Sequence, residues 1–281
     1  MPRTVAGLEI KSTDELGLMR RAGLVVAQAL AEMAAAALPG ATTADLDVVA
    51  REVLAREGAT SNFLNYDVGF GIPPYPAVVC ISVNDEIVHG IPGNRVLVDG
   101  DLVSIDFGAV VDGFHGDAAV TVAVGTVAAE ALTLSDVTRE ALAAGLARVR
   151  PEVSVGDISS AVQSYVRAAP ARYGIVAEYT GHGIGTRMHM HPDVPNLGRP
   201  GRGPKLPIGA VVAVEPMVTL GSPGTDVLDD DWTVVTRDGK VACHWEHSVA
   251  VTPGGCWVLT AFDGGEAILK AAGGRFAPLV D

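Results

Sequence analysis

The stretch from Asp101 to Thr121 constrains this chain more than any other part of it. It reads Asp101-Leu-Val-Ser-Ile-Asp106-Phe-Gly, then Ala-Val-Val, then Asp112-Gly113, then Phe114-His-Gly-Asp117-Ala-Ala-Val-Thr. Two apolar runs joined by Asp-Gly are the strongest short-range signal for a β-hairpin. Each run carries one carboxylate, Asp106 or Asp117, at a position where burying a charge is costly. A turn centred on Asp112-Gly113 makes the two acids direct or diagonal neighbours on one sheet face. Carboxylates that close repel each other and resist ionisation unless a cation lies between them.

Three further polar residues stand against apolar, strand-like runs. Glu215 ends Gly209-Ala-Val-Val-Ala-Val-Glu215-Pro216, and Glu246 heads Trp245-Glu246-His247-Ser-Val-Ala-Val. His182 sits in Thr180-Gly181-His182-Gly183-Ile184-Gly185, where the glycines are expected to leave the imidazole unobstructed and let the backbone turn sharply. Each acid alone reads as an ordinary surface carboxylate in a chain that has 33 acidic residues. Four acids in or beside apolar runs, with a glycine-flanked histidine, read instead as one hard, oxygen-rich ligand set. Such a set suits two divalent ions bridged by carboxylates.

Around these residues the element order repeats. Ser12 and Glu15 form a capping-box signal for a helix that Pro39-Gly40 stops. Thr43 opens a second helix, with Leu46, Val49, Val53 and Leu54 on one face, ending near Gly58. Antiparallel strands are expected between Pro76 and Val124. The second half predicts a helix from about Ser135 to Val149, stopped by Pro151, and another from near Gly156. Strand runs follow at Gly209–Val214, Thr233–Thr236 and His247–Thr252. Asp45-Leu46 matches Asp157-Ile158 and Val53-Leu54 matches Tyr165-Val166 at one common offset. This predicts two similar α+β halves, 12–125 and 130–260, around a shared sheet after a short lead, 1–11. No low-complexity linker separates them, so residues 1–281 are expected to form one domain.

Composition narrows the class. Of 281 residues 48% are hydrophobic and 19% charged, which excludes a disordered chain. A formal charge of −13 argues against stable binding to nucleic acid or anionic membrane, leaving room only for a local basic patch. Cys80, Cys243 and Cys256 are too few for a disulfide framework and suit a reducing compartment. Met1 to Gly17 contains no apolar core of a signal peptide. The apolar stretch Leu24 to Leu38 is interrupted by Gln28 and Glu32 and is too short to span a bilayer. A soluble, cytoplasmic protein is expected.

Five segments, in order, resemble motifs of the type I methionine aminopeptidases. They are Ser82-Val-Asn-Asp-Glu-Ile-Val-His89-Gly-Ile-Pro92, Asp106-Phe-Gly with Gly113-Phe-His-Gly-Asp117, Gly181-His182-Gly-Ile-Gly185, Glu215-Pro216-Met217, and Glu246-His247-Ser248. The resemblance runs from about Ile10 to Thr260, and the ordered series is far more specific than any one motif. It implies the pita-bread fold: two pseudo-symmetric halves with helices outside a curved antiparallel sheet. It also implies removal of the initiator methionine when the second residue is small. Asp117 and Glu246 would bridge two metal ions, His182 and Glu215 would complete the first ion's shell, and Asp106 would chelate the second. Cobalt, manganese, iron, zinc or nickel could fill such a site. Glu215 would carry the proton, His189 would meet the developing oxyanion, and His89 would orient the backbone beside the scissile bond.

By the same resemblance, Tyr75, Cys80 and Trp232 line a methionine pocket, with core packing the alternative for each. Departures from the commonest pattern occur at Met188, Met190, His191 and Trp245, and they bear on pocket shape. His191 reads as a surface histidine, and Cys80 as a small buried apolar side chain. The implied partners are nascent polypeptide N-termini, with room for transient ribosome contact, and the protein is read as a monomer. Two other readings share the fold: an Xaa-Pro aminopeptidase or dipeptidase, and a non-catalytic binding protein. The first usually carries an extra N-terminal domain, and the second loses metal ligands.

Overall fold

The computed structural model describes residues 3–5 and 7–279. Helix α1 (Thr13–Ala36) is capped as its sequence predicts: Ser12 Oγ accepts from the Glu15 N–H, and the Glu15 carboxylate accepts from the Ser12 N–H. Met19, Ala22, Val26, Leu30 and Met33 recur along one face and are buried. Helix α2 (Thr43–Glu57) is capped by Thr42 and ends at Gly58, whose φ of +63° suits a residue without Cβ. In the second half come α3 (Ala129–Leu146) and α4 (Val155–Ala168), the latter with a Ser154/Asp157 capping box.

Among the described residues nine strands form one antiparallel sheet. They are β1 (Thr60–Ser61), β2 (Cys80–Val83), β3 (Leu102–Val111), β4 (Phe114–Ala123), β5 (Gly181–Gly183), β6 (Met190–Val194), β7 (Val211–Val214), β8 (Glu246–Thr252) and β9 (Gly255–Val258). Their order is β6-β5-β7-β8-β4-β3-β1, with β9 on β8 and β2 on β3. The two halves meet where β8 pairs with β4, Glu246 opposite Ala119 and His247 opposite Ala118.

Strand alternation sorts the two faces of this sheet. Val103, Ile105, Phe107 and Ala109 of β3 pack with Leu30, Met33, Leu46 and Val53 of α1 and α2. Val212 and Val214 of β7 and Val249 and Val251 of β8 pack with Leu142, Leu146, Ile158 and Val162 of α3 and α4. Burying each of these side chains larger than alanine contributes about 1.5–3 kcal/mol. The intervening residues, Asp106, Asp117, Glu246 and their neighbours, face the other way. The core thus sits between helices and sheet, and the acids on the opposite surface of the sheet.

The structure departs from several predicted boundaries: the strand expected from Gly209 starts at Val211, and the helix expected to reach Val149 ends at Leu146. Helix α3 starts at Ala129 rather than Ser135, because Ala128 offers no side-chain cap to mark the start. Ser135 lies inside the helix, where its hydroxyl accepts from the Trp245 indole at 3.1 Å. The run near Thr233 forms Val234–Thr236, which joins Thr225–Val227 and Glu86–Val88 in a separate three-stranded sheet. After Phe262 the chain turns back: a short helix, α5 (Glu266–Ala271), precedes Phe276, which bridges to Cys256 of β9. Among the described residues no helix is long and apolar enough to cross a membrane.

Candidate metal centre and substrate cavity

Register explains how distant acids converge. Asp106 on β3 and Glu246 on β8 both stand opposite Ala119 on β4, one on each side of it. Asp117 is two residues back along β4 and shares their face. Ala119, fully buried, has a side chain too small to fill the space between the carboxylates. Glu215 follows β7 directly, one step past the Val214–His247 pair. His182 comes from β5, which pairs with β7 at Gly183 and Val212.

The glycines beside His182 have a different role from the one expected. A Cβ on Gly181 would lie 2.3 Å from the Ala213 carbonyl oxygen, and one on Gly183 would lie 2.3 Å from that of His191. They permit β5 to press between its neighbours, and His182 is itself buried. Its Nδ1 lies 3.0 Å from the Gly183 carbonyl oxygen. Since that oxygen can only accept, Nδ1 carries the proton and Nε2 keeps its lone pair. Nε2 faces Glu215 Oε1 at 3.5 Å.

The ligand atoms of Asp117, His182 and Glu246 lie within 4.8 Å of one another. Burial, followed by Asp117, pushes the Asp106 carboxyl far above its usual range. Burial followed by neighbouring carboxylates does the same for Glu215 and Glu246, and burial pushes Asp117 up to about 7. Among the described residues no lysine or arginine lines the cavity to offset this charge. Asp106 Oδ1, Asp117 Oδ1 and Glu246 Oε1 are buried without a hydrogen-bond partner among the described residues. Orphaned oxygens on mutually repelling acids, with an imidazole lone pair beside them, fit a divalent cation centre.

These residues line one cavity of about 250 Å³. His189 enters it with its ring 4.4 Å from that of His182, and its Nδ1 lies 2.6 Å from the Tyr66 hydroxyl. His89 is held with φ +63°, its ring edge-on to Tyr179 and Trp232. Burial, with His189 nearby, brings its pKa down to about 4, so it enters the cavity neutral.

An apolar end is formed by Phe63, Tyr75, Cys80, Met188 and Trp232. Tyr75 Oη donates to the carbonyls of Val79 and Gly90, and Trp232 Nε1 to that of Pro73. With their polar atoms satisfied, both rings present apolar faces. The Cys80 thiol is buried, and burial raises its pKa well above the usual value.

The structure brings every site residue expected from the sequence to this one cavity. Of the four departures only Met188 lines it. Trp245 is turned toward α3, where it meets Ser135 and Arg139, and His191 is exposed. The sequence reading missed Tyr66, Tyr179 and His244. His244 was detectable: it stands two residues before Glu246, so the alternation of extended backbone puts the two on one side of the chain although a break at Trp245 separates their strands. Tyr66 and Tyr179 come from irregular segments, where no periodicity marks them.

Residues 17–253 match metallopeptidase family M24. The chain is 51% identical over 255 residues to methionine aminopeptidase 1 of Mycobacterium tuberculosis, covering 89% of this chain and 94% of that one. It superposes on the methionine aminopeptidase of Thermotoga maritima with a TM-score of 0.85 at 37% identity, covering 90% and 99%. The X-Pro aminopeptidase of the same organism gives a TM-score of 0.69 at 20% identity over 90% of this chain and 62% of that one, a likeness of fold alone. The fold is therefore the pita-bread fold, and the chain belongs to metallopeptidase family M24, within its methionine aminopeptidases.

Proposed function

We propose that this protein removes the N-terminal methionine of new polypeptides whose second residue is small, by hydrolysing the first peptide bond. The observation that carries this reading is the cavity itself: four acids, Asp106 half-buried and the other three buried, with an imidazole lone pair at one end and an apolar pocket at the other. The names of its relatives support the same substrate. Met188, Cys80, Tyr75 and Trp232 offer the soft, polarisable contacts that suit a thioether side chain.

Asp106, Asp117, His182, Glu215 and Glu246 would hold two divalent ions, with Asp117 and Glu246 shared between them. Such ions would supply Lewis-acid polarisation of the scissile carbonyl and activation of water. Glu215 accepts a proton from the attacking water and passes it to the leaving amine, a task for a carboxyl whose pKa burial has raised. If the Tyr66 hydroxyl donates to His189 Nδ1, the imidazole N–H is left at Nε2, free to donate to the developing oxyanion. His89, neutral and braced by two aromatic rings, orients the peptide backbone beside the scissile bond. The protein acts as a cytoplasmic monomer on nascent N-termini, with transient contact at the ribosome.

The test is methionine release from Met-Xaa peptides by wild type and Asp106→Ala in defined metals. Release only for small Xaa, with near-complete loss in the variant, is expected. Preference for an Ala-Pro peptide would favour the Xaa-Pro reading. Stoichiometric metal binding without release would favour a non-catalytic role.

A further inference from the structure

His244 is the histidine of the cavity that the mechanism above leaves without a task. It ends the strand Ala242–His244, which pairs with Met217–Thr219 so that His244 stands opposite Met217, just beyond Glu215-Pro216. Its side chain is almost wholly buried and lines the cavity. Among the described residues Nε2 has no hydrogen-bond partner, and Glu215 Oε2 lies 3.7 Å from it.

The backbone of His244 is anchored from two sides. Its N–H donates to Ser104 Oγ at 3.2 Å, and its carbonyl accepts from Thr121 Oγ1 at 2.6 Å. Those hydroxyls lie on paired residues of β3 and β4 and bond to each other at 2.8 Å. The strands that carry Asp106 and Asp117 thus also fix where His244 begins. The Glu215 carboxylate is left flanked by two imidazoles, His182 at Oε1 and His244 at Oε2.

An N–H buried against a carboxylate is stabilised by donating to it, and a shift of about half an ångström closes this gap to hydrogen-bond length. We propose that His244 is a positioning residue for Glu215: its Nε2–H donates to Oε2 and keeps Oε1 turned toward His182 and the cavity. This rests on the role given to Glu215 above.

The test compares His244→Leu and His244→Gln, since the glutamine amide can place a donor near the position of Nε2. Peptide kinetics and calorimetric titration with Mn²⁺ in the absence of substrate are measured on both. Loss of a hydrogen bond to a charged group is expected to lower kcat of the leucine variant about ten- to a hundred-fold, with KM nearly unchanged. Mn²⁺ affinity should fall with it, and glutamine should restore both to within roughly threefold. Placed on a Glu215→Gln background, His244→Leu should cause little further loss of Mn²⁺ affinity. Wild-type kcat and affinity in the leucine variant would overturn the proposal. So would a glutamine variant no better than leucine, or an undiminished loss on the Glu215→Gln background. A wild type that released no methionine would remove the aminopeptidase reading, while the Mn²⁺ titrations would still decide whether His244 holds Glu215.

Discussion

Asp106 and Asp117 lie diagonally across one antiparallel hairpin, Asp106 opposite Ala119 and Asp117 opposite Gly108. Asp117 is buried and Asp106 half-buried, and among the described residues each has one buried oxygen without a hydrogen-bond partner. Without a cation, their proximity opposes folding; with one, it provides binding energy.

Replacing Asp106 by Asn should therefore separate stability from function. The amide keeps the shape, removes one of the repelling groups and can donate to its neighbours. The metal-free variant should melt a few degrees above the metal-free wild type, since about 1 kcal/mol shifts the midpoint of a chain this size by ~2–4 °C. The increase that Mn²⁺ or Co²⁺ gives the wild type should largely disappear, together with methionine release. Equal metal-induced shifts in the two proteins, measured by calorimetry, would contradict this account.

Tyr66→Phe tests the other end of the cavity. In the proposed role the hydroxyl 2.6 Å from His189 Nδ1 donates to it, which holds the ring proton at Nε2 and sets the ring's tilt. Removing it leaves the ring its packing against His182 but no anchor for its proton. A fall in kcat of about two- to thirteenfold is expected, the range for one neutral hydrogen bond, with melting temperature almost unchanged. Unaltered kcat would detach Tyr66 from the chemistry.

Much of the site was legible because strand geometry is simple arithmetic. A turn at Asp112-Gly113 fixes the register of β3 and β4, and that register alone makes Asp106 and Asp117 neighbours. Glu215 and Glu246 stood out as charges at the ends of apolar runs, where only a specific site repays their burial. What the sequence could not supply was the order of strands between the halves. Nothing local says that Glu246 will stand beside Ala119, since that pairing joins residues far apart in the chain. Helix starts without a capping side chain, as at Ala128, were equally silent. The reason for the glycines at 181 and 183 was misread, because the crowding they relieve comes from Ala213 and His191, residues of other strands.

Gly183→Ala should expose that crowding. The new methyl meets a backbone oxygen, which cannot rotate away as a side chain can, so β5 or β6 must move. Overpacking of this kind costs about 1–3 kcal/mol. Because His182 is the adjacent residue, Mn²⁺ affinity should fall more than tenfold, which a calorimetric titration would measure. A variant as stable and as tightly metal-binding as the wild type would show that the strands can relax apart without cost.

The three thiols provide a last test, one that separates burial from reactivity. Cys243 and Cys256 are completely buried and Cys80 nearly so. Burial holds the Cys243 thiol above its usual range and pushes that of Cys256 up to about 12. An unfolded cysteine ionises near pH ~8.5. Between that pH and about 12 the unfolded chain releases the Cys256 proton while the native one keeps it. The contribution of this group to stability is thus complete below pH ~8.5 and is lost as pH rises toward the folded value. Native protein should resist iodoacetamide at pH ~9, where free thiolates react, and all three cysteines should label once guanidinium unfolds it. The melting temperature should fall with alkalinity, and less steeply in Cys256→Ala than in the wild type. Rapid labelling of one thiol in the native state, mapped by mass spectrometry, would show that its cover opens, and Cys80, whose side chain reaches the cavity, is where such an opening would matter for the substrate.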